Sequence, residues 1–236
     1  MHTNPETLTQ SLRESLGDQL RSVVLYGSSV AGDFVQKRSD HNVLIVVDKL
    51  DLPTLKLLRS PVRSWVKSGQ RPPLLFTEKR LQQSADVFPI ELYDIRDQHK
   101  ILFGDDIIAQ LDLTAANLRL QLESELKGKL IALREGYFAC DGKPKSLGEL
   151  VVASLSNFQV LMRAALRLHG LDTPASKDAA VDALANKLSF DTEPFKQAAQ
   201  LKERSPAAKD LDLEALYARY LAAVEQLVDA VDSHTI

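Results

Sequence analysis

Residues 23–47 read VVLYGSSVAGDFVQKRSDHNVLIVV and hold two β-prone runs on either side of a polar segment. The first run covers residues 23–26 and stops at Gly27, where the missing Cβ lets the backbone come close to a ligand. The second run covers residues 43–47 and is apolar throughout, which is typical of a strand covered on both faces. The pattern predicts two buried strands joined by a polar loop.

Polar residues follow Gly27 and precede the second run. Ser28 and Ser29 are predicted to open a short helix, whose N–H and hydroxyl groups can hold phosphate oxygens. Asp40 and Asn42 stand at the start of the second strand and share one face, because side chains alternate along a strand. Two oxygen ligands beside a phosphate loop suit a nucleotide with Mg²⁺, since this ion prefers hard oxygen ligands.

This combination resembles the DNA polymerase beta nucleotidyltransferase superfamily, which includes aminoglycoside nucleotidyltransferases and the minimal nucleotidyltransferases. The superfamily pattern is a Gly-Ser pair, a spacer, and an Asp-x-Asp pair on an apolar strand. The matching positions here are Gly27, Ser28, Asp40 and position 42. The motif covers about residues 20–105, and the remainder is similar in architecture only.

The resemblance implies a function and a set of site residues. The protein would transfer a nucleoside monophosphate from a nucleoside triphosphate to an acceptor hydroxyl, with Mg²⁺ as cofactor. Gly27, Ser28 and Ser29 would bind the phosphates. Asp40 would be a catalytic metal ligand, and Asn42 a second ligand.

A third carboxylate is implied by the superfamily, which often takes it from a later strand. Residues 74–76 are predicted to form a third strand and residues 87–95 a fourth. The fourth strand contains two candidates, Glu91 and Asp94. Glu91 is preferred as metal ligand or base, because it alternates with the apolar residues Ile90 and Leu92.

Asn42 stands where the superfamily has its second metal-binding aspartate. Its amide supplies an oxygen but no charge, and two dications about 4 Å apart repel strongly unless carboxylates neutralise them. We therefore expect one bound metal ion at most. Two functions stay open: an active transferase, and a catalytically impaired binding or regulatory module.

The second half of the chain carries almost no strand signal. A long helix is predicted from leucines on one face, and an apolar helix is predicted to open at a capping box beginning with Ser146. Shorter helices follow within residues 176–203, and an amphipathic helix ends the chain. The sequence predicts an α/β (α+β) nucleotidyltransferase-like domain with a small mixed sheet over residues 1–108, then an all-α helical bundle over residues 112–236.

Arg163 and His169 suggest a further hypothesis, a ribonuclease site in the helical half of the chain. Some helical domains of the HEPN type carry an Arg-His ribonuclease motif with a similar spacing. Six residues advance about 240° around a helix, so the two side chains share no face unless the helix ends between them. The alternative is that His169 interacts with the helix C-terminus before Gly170.

Composition limits the classes of partner. The chain has 236 residues and a formal net charge of −3, which gives no general attraction to an extended nucleic acid. A single cysteine excludes an internal disulfide framework. No apolar run reaches membrane-spanning length and the N-terminus is polar, so a cytoplasmic location is expected. The expected partners are a nucleotide and a small-molecule or protein acceptor, and the oligomeric state is left open.

Overall fold

The structure is a computed structural model that describes residues 4–30, 41–174 and 177–234, without the side chains of Ser28 and Lys177. Its contacts divide the chain into two compact units, Met1–Thr114 and Ala115–Ile236. The division into independently folding domains at residues 108–112 stays a prediction.

The N-terminal unit combines four helices with one sheet. Its elements in chain order are α1 (Pro5–Leu16), β1 (Leu20–Tyr26), β2 (Asn42–Val47), α2 (Leu52–Lys67), β3 (Leu74–Thr77), α3 (Glu78–Gln83), α4 (Pro89–Asp97) and β4 (His99–Gly104). The strands lie in the order β3-β2-β1-β4, with β1 antiparallel to both neighbours and β3 parallel to β2. The small mixed sheet expected from the sequence is therefore confirmed.

Each face of the sheet has its own apolar core. On one face α1 and α2 pack against alternate residues of β1 and β2, including Val23 and Ile45. On the other face α3 and α4 pack against the intervening residues, including Val24 and Leu44. Because both faces are covered, the run at residues 43–47 is buried throughout, as its unbroken hydrophobicity predicts.

Helix α2 is continuous through Pro61, although a proline within a helical segment usually kinks or ends the helix. Asp51 caps its first turn by accepting a hydrogen bond from the Thr54 N–H at 3.0 Å. A proline inside a helix removes one backbone hydrogen bond. Leu58 and Trp65 are buried on either side of Pro61, and their packing holds the helix together across the missing bond.

Residues 87–95 do not form the predicted fourth strand. Residues Pro89–Asp97 form α4, and the fourth strand is His99–Gly104. Pro89 occupies the first turn, where its fixed φ suits a helix and its missing N–H costs nothing. Leu92 and Ile95 lie one helical turn apart and are both buried. The alternation of Ile90 and Leu92 was therefore part of a helical stripe.

The C-terminal unit is a helical bundle, as the sequence predicts. Its helices are α5 (Ala115–Ala139), α6 (Pro144–Leu168), α7 (Lys177–Leu188), α8 (Glu193–Lys202) and α9 (Leu213–Asp232). Helix α6 contacts the other four, in agreement with its apolar surface. The predicted capping box is wrong, because α6 begins at Pro144 and Ser146 already lies inside its first turn. No helix in the described ranges is long and apolar enough to cross a membrane.

Candidate functional site

Three strand ends meet at one end of the sheet. Tyr26, the last residue of β1, pairs with Asn42 at the start of β2 and with His99 at the start of β4. Residues directly opposite one another across a sheet point to the same face. Asn42, Tyr26 and His99 therefore form a row, here called the polar row. It lies on the face that α4 covers, because Tyr26 packs into the same core as Leu92.

Gly27 turns the chain immediately after the polar row. Its φ is +81°, a left-handed conformation that favours glycine. A Cβ added at Gly27 would lie 3.1 Å from the Asn42 Nδ2 atom, so the asparagine amide sits directly against this backbone. The N–H of Gly27 donates to the Gln98 carbonyl at 2.9 Å, and its carbonyl accepts from Val30 at 2.9 Å.

The turn after Gly27 is helical, as predicted, but short. Residues Gly27–Ser29 form one turn of 3₁₀ helix. The Ser29 hydroxyl donates to the Tyr26 carbonyl at 3.4 Å, a long hydrogen bond that leaves this O–H available to a stronger acceptor. Since the Gly27 N–H is used by Gln98, phosphate contacts at this turn fall to the two serines. Asp40 lies outside the described residues, and so does the side chain of Ser28.

His99 joins the polar row to Asp106, which the sequence analysis did not identify. The His99 Nδ1 atom lies 2.9 Å from the Arg96 carbonyl, and its Nε2 atom lies 3.1 Å from Asp106 Oδ2. Both neighbours are hydrogen-bond acceptors, so the two contacts fix the orientation of the imidazole ring. Burial acts to raise the pKa of Asp106, but hydrogen bonds from the Ala109 amide and from His99 outweigh it and lower the pKa.

The segment before β3 also reaches this end of the sheet. The His41 N–H donates to Gln70 Oε1 at 2.8 Å, and the Trp65 Nε1–H donates to the Arg71 carbonyl at 2.8 Å. Burial raises the pKa of Tyr26, and the positive charge of Arg71 acts in the opposite direction. Arg71 thus places a cation near the polar row, which no local motif in the sequence indicated.

Metal-ligating side chains are sparse here. Across residues 4–30, 41–174 and 177–234, no group of three His, Cys, Asp or Glu side chains is placed to hold a metal ion. Asn42 offers one neutral oxygen, and Asp40 is not described. Mg²⁺ is commonly bound through one or two carboxylates with phosphates and waters. This donor set fits a single ion that arrives with a triphosphate, and does not fit two ions held by protein alone.

Known proteins resemble this chain in structure rather than in sequence. No protein-family profile and no curated protein sequence matches it. Among solved structures, it is similar to spectinomycin adenyltransferase AAD(9) from Enterococcus faecialis, crystallised with ATP and spectinomycin. The sequence identity is 16% and the TM-score is 0.51, over 92% of this chain and 99% of that chain. The chain has the nucleotidyltransferase fold. An identity this low concerns the fold alone, and the similarity extends over both units.

Within the nucleotidyltransferase fold, Glu91 does not stand on a strand. It lies exposed in the first turn of α4, whereas Asp94, one turn later, is half-buried. The reason for preferring Glu91, its alternation with strand residues, is therefore wrong. Helix α4 packs on the face that bears the polar row, so both carboxylates stay candidates for the third acidic group.

His169 marks the end of α6 in the helical unit that completes the nucleotidyltransferase fold. The helix ends at Leu168, and the His169 N–H donates to the Ala165 carbonyl at 3.1 Å. Gly170 follows with φ +67°, the usual left-handed helix terminator. The ring of His169 packs edge-on against His234, with centroids 4.5 Å apart. These contacts support the helix-terminus alternative to the ribonuclease hypothesis.

The pairing of His169 with His234 predicts a loss of stability in mild acid. Burial, then the charges of His234 and Lys187, lower the pKa of His169 below its ordinary value of 6.5. The folded state therefore binds fewer protons than the unfolded state, and stability is lost as the pH falls through about 6.5 and below. Urea unfolding at pH 7.5 and 5.5 measures this loss. The free energy of unfolding should fall less between these two pH values in His169→Gln than in the wild type. An equal fall in both proteins would show that His169 does not cause the acid sensitivity.

Proposed function

We propose that the chain is a nucleotidyltransferase that moves a nucleoside monophosphate from a nucleoside triphosphate to an acceptor hydroxyl. The observation that carries the proposal is the left-handed Gly27 seated against Asn42, where β1, β2 and β4 meet. A glycine at this point allows phosphate oxygens to approach the main chain. The fold shared with an enzyme crystallised with ATP supports the proposal.

The proposed roles follow the sequence pattern. Ser28 and Ser29 bind the phosphates, and Gly27 allows the phosphates to approach the main chain. Asp40 and Asn42 hold one Mg²⁺ together with phosphate oxygens. When bound, this ion neutralises charge on the triphosphate. A neutral Asn42 makes Asp40 the main source of negative charge for the ion, so the site depends on Asp40 more heavily than a two-aspartate site would.

In the proposed reaction the acceptor oxygen attacks the α-phosphorus, the bond from that phosphorus to its bridging oxygen breaks, and pyrophosphate leaves. The hydroxyl proton passes to a carboxylate, with Glu91 as the proposed base and Asp94 as the alternative. Negative charge on the transferring group is stabilised by preorganised cations. The side chain of Arg71, near the polar row, is suited to this task.

The acceptor is proposed only as a class. AAD(9) is a spectinomycin adenyltransferase, and we therefore propose ATP as the first nucleotide to test and hydroxyl-rich aminocyclitols as the first acceptors. A protein hydroxyl is the second choice. A cytoplasmic location stays a prediction.

Asn42 favours a second candidate function. Without a second aspartate, the same fold can bind a nucleotide and act as a regulatory module without transfer. The two functions differ in turnover rather than in binding, so the release of pyrophosphate separates them.

Removal of Asp40 is the main test of the site. We expect MgATP to bind with a measurable heat, and Asp40→Ala to weaken binding at least tenfold, about 1.4 kcal/mol. Asn42→Asp should raise the affinity for Mg²⁺, because it restores the second charge. Isothermal titration calorimetry measures both. Asp18→Ala, an exposed change near the other end of β1, is the matched control. No heat at millimolar triphosphate would rule out the transferase.

The base is tested separately by turnover. If Glu91 accepts the proton, Glu91→Gln should lower pyrophosphate release by about 10²-fold or more while nucleotide affinity stays the same. Asp94→Asn is the matched change one helical turn away. A loss confined to Asp94→Asn would transfer the role to that residue, and binding without pyrophosphate release in any variant would favour the regulatory module.

A further inference from the structure

An apolar groove of about 630 Å³ lies between α2 and β3, on the N-terminal unit. Its apolar lining residues are Leu52, Leu55, Leu58, Val62, Val66 and Leu75. Leu52 is 64% exposed and Leu55 is 43% exposed, so the groove presents apolar surface to solvent. Exposed apolar surface of this extent, when rimmed by polar residues, is typical of an interaction site.

Among the residues that the structure describes, the charged side chains on the rim of this groove are all positive. Lys56, Arg59, Arg63 and Lys67 line it, and α2 contains no acidic residue. None of the four forms an ion pair with another residue in the described part of the chain. The whole chain carries a net charge of −3, so this clustering is local and does not follow from composition.

One wall of the groove is the edge of the sheet. In the order β3-β2-β1-β4, strand β3 hydrogen-bonds to β2 on one side, and no strand of the described residues lies on its other side. Edge strands are usually protected by charged residues or proline within the strand. The four residues of β3, Leu74–Thr77, contain neither. An extended peptide can therefore add main-chain hydrogen bonds at this edge.

We propose that the α2–β3 groove binds an extended, acidic segment of a protein partner, with its apolar side chains in the groove and its carboxylates on the basic rim. We choose an acidic segment because its negative charges complement the positive side chains on the rim of the groove. The concave shape and the open strand edge favour a polypeptide over a flat membrane surface. A single-stranded nucleic acid is disfavoured because the described lining residues include no aromatic side chain on which bases could stack.

Selection from random displayed peptides tests this proposal on the full chain. A phage library of 12-residue peptides is selected on the wild-type protein and counter-selected on Arg59→Glu/Arg63→Glu. We expect enriched peptides to combine acidic residues with alternating apolar ones. One enriched peptide is then measured by fluorescence anisotropy. The double variant should weaken its binding about tenfold or more, and raising the salt concentration should weaken it as well.

Two pairs of variants separate the groove from its surroundings. Leu55→Ser should lower the affinity for the peptide about fivefold. Leu57 lies on the same helix and is 41% exposed but is not among the groove residues, so Leu57→Ser should leave the affinity unchanged. Arg80→Glu on α3 is the matched control for charge. All five substituted positions are exposed, so thermal unfolding should stay close to wild type.

Several outcomes would overturn the proposal. Enriched peptides without acidic residues, or peptides that bind the double variant equally well, would remove the basic rim from recognition. Binding to phosphatidylserine vesicles without any peptide binding would assign the groove to a membrane surface. A concentration-dependent dimer that Arg59→Glu/Arg63→Glu dissociates, seen by sedimentation, would assign it to a second copy of this chain.

Discussion

Gly104→Ala is expected to destabilise the N-terminal unit by about 4 kcal/mol or more, a large part of the stability of an ordinary domain. A Cβ at this position would lie 1.8 Å from the Arg21 carbonyl oxygen and 2.9 Å from its carbonyl carbon. The φ of Gly104 is +77°, which adds a conformational penalty. The clashing atoms belong to the main chain of β1. Because β1 is hydrogen-bonded to β2 on one side and β4 on the other, it cannot shift away from the added Cβ without a loss of stability.

Urea unfolding followed by the fluorescence of Trp65 measures this effect. Trp65 is the single tryptophan of the chain and is fully buried in the N-terminal unit, so its signal reports on that unit. Gly17→Ala is the matched control, because its φ is +53° but no atom lies within 4 Å of the added Cβ. We expect it to cost about 1 kcal/mol. Equal losses in the two variants would mean that the backbone angle, and not the clash with Arg21, dominates.

Trp65→Ala is expected to cost about 3–5 kcal/mol, the usual range for a large aromatic removed from a core. The side chain is fully buried between α1, α2 and the sheet, and its Nε1–H donates to the Arg71 carbonyl at 2.8 Å. Removal leaves both a cavity and an unpaired carbonyl. Because the variant lacks tryptophan, the unfolding transition is measured by circular dichroism.

Trp65→Phe separates the two contributions. Phenylalanine keeps most of the apolar contact but cannot donate to Arg71, so a loss of about 1–2 kcal/mol is expected. If Trp65→Phe were as unstable as Trp65→Ala, the hydrogen bond to Arg71 would dominate over the packing. The structure is supported if Trp65→Ala is the least stable protein, Trp65→Phe is intermediate and the wild type is the most stable.

The central part of the fold could be predicted because its signals are local. The run before Gly27 and the apolar run at residues 43–47 each predict a strand from a few neighbouring residues, and both strands are present. Threonine is a common cap just before a helix, and the Thr77 hydroxyl accepts a hydrogen bond from the Arg80 N–H of α3 at 3.3 Å. Helical spacing of leucines likewise predicted the bundle.

The main error came from a run that fits two periodicities. Ile90 and Leu92 alternate as in a strand, but the third buried position is Ile95, which continues a helical stripe. Short apolar runs cannot be assigned by periodicity alone. The proline at position 89 was the better indicator, since it is favoured in the first turn of a helix. The mistaken prediction placed Glu91 on a strand, whereas it lies on helix α4.

The remaining site residues could not be predicted because their contacts are set by strand order. His99 and Asp106 reach the neighbourhood of Gly27 only because β4 pairs with β1, and Arg71 only because β3 lies beside β2. No spacing within the sequence encodes these neighbours. The proposed roles of Asp40, Asn42 and Glu91 stay predictions that the titrations and turnover assays address.

The hydrogen bond from the Gly27 N–H to the Gln98 carbonyl has a consequence for how this protein can diversify. It joins the turn after β1 to the end of α4 through main-chain atoms, so no side-chain replacement removes it. Only proline at position 27 lacks the donor. Outward residues of α4 other than the two candidate carboxylates can therefore change over generations while the helix stays attached to the glycine turn.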